Sequence, residues 1–177
     1  MKDGILLIDK TAGLTSHDVV GRVRRLYGTR QVGHTGTLDP MATGLLVVLV
    51  GRAVKASEYA TAHDKTYEAG LALGLTTDTE DVTGTVLTKS DRLPTADEVA
   101  AVLPRFRGDL WQVPPMYSAL KQGGKKLYDL ARQGVTVERE ARPITVYRLT
   151  GHPVSEVEGR YDLTVSCSKG KIGRAHV

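Results

Sequence analysis

The chain has 177 residues, of which 41% are hydrophobic and 25% charged, an ordinary balance for one soluble globular domain or a little more. No apolar run approaches the roughly 18 residues that cross a bilayer, and a single cysteine, Cys167, excludes an internal disulfide framework. The net charge of +4 is uneven: residues 1–62 hold 8 basic and 5 acidic side chains, 63–104 hold 3 and 8, and 105–148 hold 9 and 4.

Two basic stretches around an acidic one suit a polyanion-binding face, although solvated faces give the same counts. Met1-Lys2-Asp3-Gly4 runs straight into an apolar pattern with no signal-peptide layout, so the expected location is the cytoplasm.

In chain order, Gly4–Asp9 reads as a short buried strand and Lys10–Thr15 as a turn. Thr15 with Asp18 three residues on forms a capping box. Val19, Val20, Val23, Leu26 and Tyr27 then make one apolar helical face, with Arg22, Arg24 and Arg25 off it. Gly28 is placed to end the helix. Residues 31–44 are a Gly-, Thr- and Pro-rich loop leading into a buried strand, Leu45–Val50. Lys65–Leu73 reads as a strand with Tyr67, Ala69, Leu71 and Leu73 alternating, and 75–84 as a polar, acidic loop.

Thr95 with Glu98 predicts a second capped helix through Val99, Val102 and Leu103. Strands are expected at Ile144–Tyr147 and Tyr161–Cys167. Cys167 falls on the apolar face of its strand, and Trp111, beside Pro114 and Pro115, reads as a packing residue. His17, His63 and His152 show no metal-ligand spacing. Helices and strands mix without βαβ repetition, which predicts an α+β fold: a mixed, largely antiparallel sheet with flanking helices.

The segment richest in chemistry is Gly33-His-Thr-Gly-Thr-Leu-Asp-Pro-Met-Ala-Thr-Gly44. Its glycines permit a close approach of backbone to ligand, and Pro40 biases Asp39 toward an extended conformation. On residue types alone two readings of Asp39 stay open. It is a nucleophile or base displayed on a loop, or it is simply the first member of an Asp-Pro turn. His34 is likewise either a site residue or a loop residue bonded to backbone.

GHTGTLDPMATG resembles the first signature of the TruB family of pseudouridine synthases, Gly-His-Thr-Gly-x-Leu-Asp-Pro-x-Ala-x-Gly around the catalytic aspartate. GILLIDKTAGLTSHDVV (4–20) is similar to the family's first strand and turn, departing at Thr11 where the family usually has proline. KTYEAGLALGLTTDTEDVTG (65–84) resembles its second signature. VPPMYSALKQGGKKLYDLARQGVTVEREARPITVY (113–147) resembles its RNA-contacting insertion and the strand after it, and CSKG (167–170) opens a further motif. The resemblance covers residues 4–170.

What it implies is a pseudouridine-synthase-like fold and conversion of uridine to pseudouridine at position 55 in the tRNA T-loop. Asp39 would be the catalytic group, attacking the ribose or the uracil ring. Tyr67 would stack on the flipped base, and His34 would help open the RNA loop. Lys10, in the first turn, is carried over as a contact to the site or the backbone, and Thr37 as an RNA-binding residue of the signature. The insertion, 116–142, would bind RNA through Lys121, Lys125 and Lys126, with Tyr117, Tyr128 and Arg132 interleaved. The reaction is an isomerisation, so no metal, cofactor or obligate protein partner is expected, and no membrane association.

The resemblance further implies that residues 1–170 are the N-terminal portion of the catalytic domain, without the family's C-terminal RNA-binding PUA domain. After CSKG the family continues Thr-Tyr-Ile-Arg, whereas this chain reads Lys171-Ile-Gly-Arg-Ala-His-Val177. Ile172–Val177 matches one frame of a common sequencing adapter, so 171–177 is expected to be a non-native tail. Arg174 would then fall at the family's arginine position by coincidence, and an uninterrupted native reading frame across the junction would refute this. Three other readings are weighed beside the tRNA enzyme: a guide-RNA-dependent relative, a non-catalytic tRNA-binding or RNA-folding module, and an aspartate-dependent hydrolase. The last lacks a second carboxylate or metal cluster at a fitting spacing.

Overall fold

The computed structural model describes residues 3–61, 63–118 and 120–168, with the side chains of Lys121 and Lys126 outside the described set. The end of the CSKG motif and the 171–177 tail, Arg174 included, lie outside the described residues. The chain divides into two compact units, residues 1–63 and 64–177.

The first unit runs β1 (Gly4–Lys10), α1 (Ser16–Tyr27), β2 (Val32–His34), β3 (Gly44–Val50), a 3-10 segment (Gly51–Ala56) and α2 (Ser57–Thr61). Its sheet has the order β1-β3-β2, antiparallel throughout. Ile8 stands opposite Leu46 and Leu6 opposite Val48, while β2 places His34 beside Val48. The capping box expected at Thr15 and Asp18 is present, and Gly28 ends α1 in the left-handed region at φ 62°. Val19, Val20 and Val23 of the helix close over Val32, Leu46, Val48 and Val50.

Two expectations are corrected here. The packed stripe of α1 ends at Val23, so Leu26 is 82% exposed and Tyr27 is exposed too. Strand β1 is not buried on both faces. Side chains alternate across a strand, so Leu6 and Ile8 meet α1 while Ile5 and Leu7 lie exposed on the other face; β3 keeps its expected burial from Leu46 to Val50, Leu49 on the second face included, and only Leu45 of that span is exposed.

The second unit runs β4 (Lys65–Ala72), β5 (Leu75–Thr77), β6 (Val86–Lys89), α3 (Ala96–Val102) with a 3-10 turn (Leu103–Phe106), then β7 (Gly108–Gln112). It continues with β8 (Lys121–Gln122), β9 (Lys125–Lys126), α4 (Leu127–Ala131), β10 (Arg142–Pro153) and β11 (Arg160–Cys167). Four strands form an antiparallel sheet in the order β4-β11-β10-β7. Its core gathers Ile144, Val146, Leu149 and buried Cys167, with Leu103 and Phe106 of the 3-10 turn packed on them.

Gly151, in mid-strand, makes room for that packing. A Cβ there would meet Leu163 Cδ2 at 2.7 Å and Leu103 Cδ1 at 3.3 Å.

The expected α+β class holds, and every described strand pairing is antiparallel. Three details differ from the sequence reading. The strand expected at Ile144–Tyr147 is longer, because β10 is central and pairs with β7 at one end and β11 at the other. The acidic loop is the tip of the β5–β6 hairpin rather than free-standing. Trp111 is 74% exposed: it stands opposite Pro143 on the edge strand β7, so it covers nothing in this core. Among the described residues no helix is long and apolar enough to cross a membrane.

Candidate active site

The loop between β2 and β3 carries Asp39, and its irregular backbone is held by side chains the core has buried. Ser16, the first residue of α1, is 2% exposed. Its hydroxyl accepts a hydrogen bond from Leu38 N at 2.9 Å and donates to Leu38 O at 3.1 Å. On the other side of Asp39, the Pro40 carbonyl accepts from Gly13 N at 2.8 Å. Lys10, 1% exposed, donates from Nζ to the carbonyls of Leu14 at 2.7 Å, Thr11 at 3.1 Å and Pro40 at 3.4 Å.

An ammonium has three N–H donors, and these three carbonyls are placed to meet them. The loop then turns tightly, with Ala42 N donating to Asp39 O at 3.0 Å.

Ahead of Asp39, Thr35 is 5% exposed, and its backbone N–H donates to Val47 O at 3.1 Å. His34 is half-buried, and its Nδ1 lies 2.7 Å from Gly36 O. A carbonyl only accepts, so Nδ1 carries the hydrogen and Nε2 is the nitrogen left to accept or bind. Asp39 is half-buried and Thr37 is exposed. Chemically, this is a partly accessible carboxylate whose flanking peptides are fixed on both sides. That suits a nucleophile or base, because a pre-set geometry removes the entropy of finding it.

The structure thus gathers Lys10, His34, Thr37 and Asp39 in one unit. Ser16 and Thr35 were missed by sequence reasoning. The only signal was their presence in a capped turn and in the glycine-rich loop; no pattern links Ser16 to a residue 22 positions away.

In the second unit, Tyr67 on β4 stands opposite Val165 and packs beside Leu163 on the core face of the sheet. Burial first, and Cys167 second, push its hydroxyl pKa above the usual tyrosine value. The insertion folds as the β8–β9 hairpin, turning through Gly123 and Gly124 at φ 57° and 81°. It then enters α4, which ends at Ala131, and the turn after it passes through Gly134 in the left-handed region, φ 72°.

Lys125 is exposed, near the hairpin tip. Leu127 anchors the element at 3% exposure, Gln122 Nε2 donates to Glu138 O at 3.0 Å, and the Arg132 guanidinium sits 5.4 Å from the Tyr128 ring centroid. Backbone pairing sets Lys121 opposite Lys126, so the lysine-rich stretch is concentrated on one short hairpin. Among the described residues no cluster of His, Cys, Asp or Glu is arranged to hold a metal ion.

Three comparisons bear on these sites. The signature of the TruB family pseudouridylate synthase (N terminal domain) matches residues 24–172. The chain is 49% identical to tRNA pseudouridine synthase B of Bacillus licheniformis, over 98% of this chain and 58% of that protein. With tRNA pseudouridine synthase B of Escherichia coli O139:H28 it shares 48% identity, over 95% of this chain and 53% of the relative. The chain therefore spans about half the length of the curated relatives it matches. Among solved structures, a chain of a Cbf5-Nop10-Gar1 complex superposes with a TM-score of 0.69 at 26% identity, covering 97% of this chain and 41% of that one.

Proposed function

We propose, because the chain belongs to the TruB family of pseudouridylate synthases through its N-terminal domain, that it carries the catalytic loop of an enzyme isomerising uridine to pseudouridine in tRNA. The substrate position assigned is uridine 55 of the T-loop. The observation that carries the reading is Asp39, a half-buried carboxylate with both neighbouring peptides pinned.

In this reading Asp39 attacks the target nucleotide at C1′ or on the uracil ring. The N1–C1′ bond breaks, the base turns within the site, C5 bonds to C1′, and the bond to Asp39 breaks, returning its carboxylate. A proton leaves C5 and N1 gains one, so mass is unchanged and no oxidant or reductant enters. Tyr67 stacks on the flipped base; such stacking contributes about 1–3 kcal/mol, enough to offset the few kcal/mol of unstacking. His34 assists opening of the RNA loop and Thr37 contacts RNA. Lys10 holds the catalytic loop, and Lys121, Lys125 and Lys126 bind phosphates.

The likeness to a chain from a Cbf5-Nop10-Gar1 complex gives a second reading, a guide-RNA-dependent synthase. The higher identity to tRNA pseudouridine synthase B favours the first.

The test is pseudouridine formation on an unmodified tRNA transcript by this chain and by its Asp39→Ala variant. Product at the T-loop uridine, lost in the variant, is the expected result. Product from both would remove Asp39 from its role, and product only when a guide RNA is added would favour the second reading. An inactive parent chain that still binds the transcript would leave a non-catalytic RNA-binding module.

A further inference from the structure

We infer that Ser16 is a positioning residue for Asp39: its buried hydroxyl locks Leu38, and so sets the direction from which the catalytic carboxylate leaves the loop. Its catalytic consequence rests on the function proposed above; its geometric part does not.

Three observations carry it. First, one hydroxyl meets both backbone groups of Leu38, accepting from N at 2.9 Å and donating to O at 3.1 Å. A hydroxyl can do both at once, and it meets both groups of one residue only where that residue's N–H and C=O point to the same side. This is how the closely paired residues of an antiparallel ladder present themselves. Ser16 thus substitutes for a missing partner strand at the residue just before Asp39.

Second, the contact is buried, with Ser16 at 2% exposure, so water does not readily replace the hydroxyl. Third, Ser16 is the first residue of α1, whose start is fixed independently by the Thr15–Asp18 capping box and whose next turn is in the core through Val19 and Val20. The hydroxyl is therefore mounted on a rigid element rather than on another loop. Gly13 N and Lys10 Nζ hold Pro40 O on the far side. The peptide before Asp39 depends on Ser16.

The experiment compares the 177-residue chain with Ser16→Ala, Ser16→Thr and Thr15→Ala. The last weakens the start of the same helix without touching Leu38. Amide hydrogen exchange at Leu38 is read alongside thermal unfolding and single-turnover pseudouridine formation.

Ser16→Ala is expected to speed exchange at Leu38 well beyond the change at α1 core amides. It is also expected to lower the single-turnover rate about 10- to 100-fold with RNA affinity held, the cost of a small misplacement. Ser16→Thr, which keeps the hydroxyl, recovers Leu38 protection and most of the rate. Thr15→Ala leaves Leu38 protection in place.

The inference is overturned if Ser16→Ala leaves Leu38 exchange unchanged, or changes it only as much as Thr15→Ala does. A rate equal to the parent's despite an unprotected Leu38 overturns the catalytic part. If the parent forms no pseudouridine, the proposed function fails, and the exchange measurements alone decide whether Ser16 fixes the loop.

Discussion

Residues 33–44 contain little regular structure, yet groups outside the loop hold them: buried Ser16 at Leu38, and buried Lys10 with exposed Gly13 at Pro40. Residues 116–142 contain a hairpin and a short helix, yet their ties are mainly local. Leu127 N to Leu120 O, Tyr128 N to Ser118 O and Gln122 to Glu138 O are the principal ones. Regularity and fixity are therefore different properties. A carboxylate that must meet one atom gains from a backbone with no alternatives. A basic element that grips a phosphate backbone gains more from exposed charge, since such contacts act through space and tolerate small displacements.

Three substitutions would break or sharpen this contrast. The largest effect is expected for Lys10→Met, which removes an ammonium 1% exposed from the carbonyls of Leu14 and Thr11, and one of two donors from Pro40 O. Unsatisfied buried acceptors cost about 1–3 kcal/mol, so urea unfolding should show a loss of that size. Parent-like stability would mean that the loop does not need its buried anchor.

Lys125→Ala, on the exposed hairpin, should leave unfolding within about 0.5 kcal/mol of the parent. The change should instead appear in RNA binding. A plot of log affinity against log salt should become shallower by about one unit if Lys125 meets one phosphate; an unchanged slope would take Lys125 off the RNA.

The smallest effect belongs to Glu98, whose carboxylate caps α3 and pairs with Arg92. The Thr95 backbone N–H first, then the charge of Arg92, hold its pKa below the usual glutamate range. A depressed folded pKa contributes stability that is present above the unfolded value and lost as pH falls through the folded one. Acid titration below about pH 5 should therefore weaken the parent, and Glu98→Gln should remove part of that dependence. Identical acid profiles would show that the exposed cap contributes nothing measurable, in line with the small worth of surface ion pairs.

Local rules made much of the fold legible. The capping boxes at Thr15 and Thr95 appear as expected because they need only residues three apart. The α1 stripe was legible as far as Val23 for the same reason, and β4 and β11 followed from period-two alternation. Leu26, Ile5, Leu7 and Trp111 were misread because apolar character marks what a residue prefers, while exposure depends on whether another element arrives to cover it.

The sequence by itself determined the family, through the contiguous GHTGTLDPMATG motif and its companions, and with it Asp39 as the candidate catalytic group. It also determined where the elements start, since caps and turns are set by neighbouring residues. Only the tertiary structure decided that Lys10 faces carbonyls rather than solvent. It alone showed that Ser16 reaches across 22 residues to Leu38. The physical reason is that a hydrogen bond between distant residues depends on where two elements pack, and that is set by the burial of Val19, Val20 and Val23 against β2 and β3, not by anything local to the residues that make the bond.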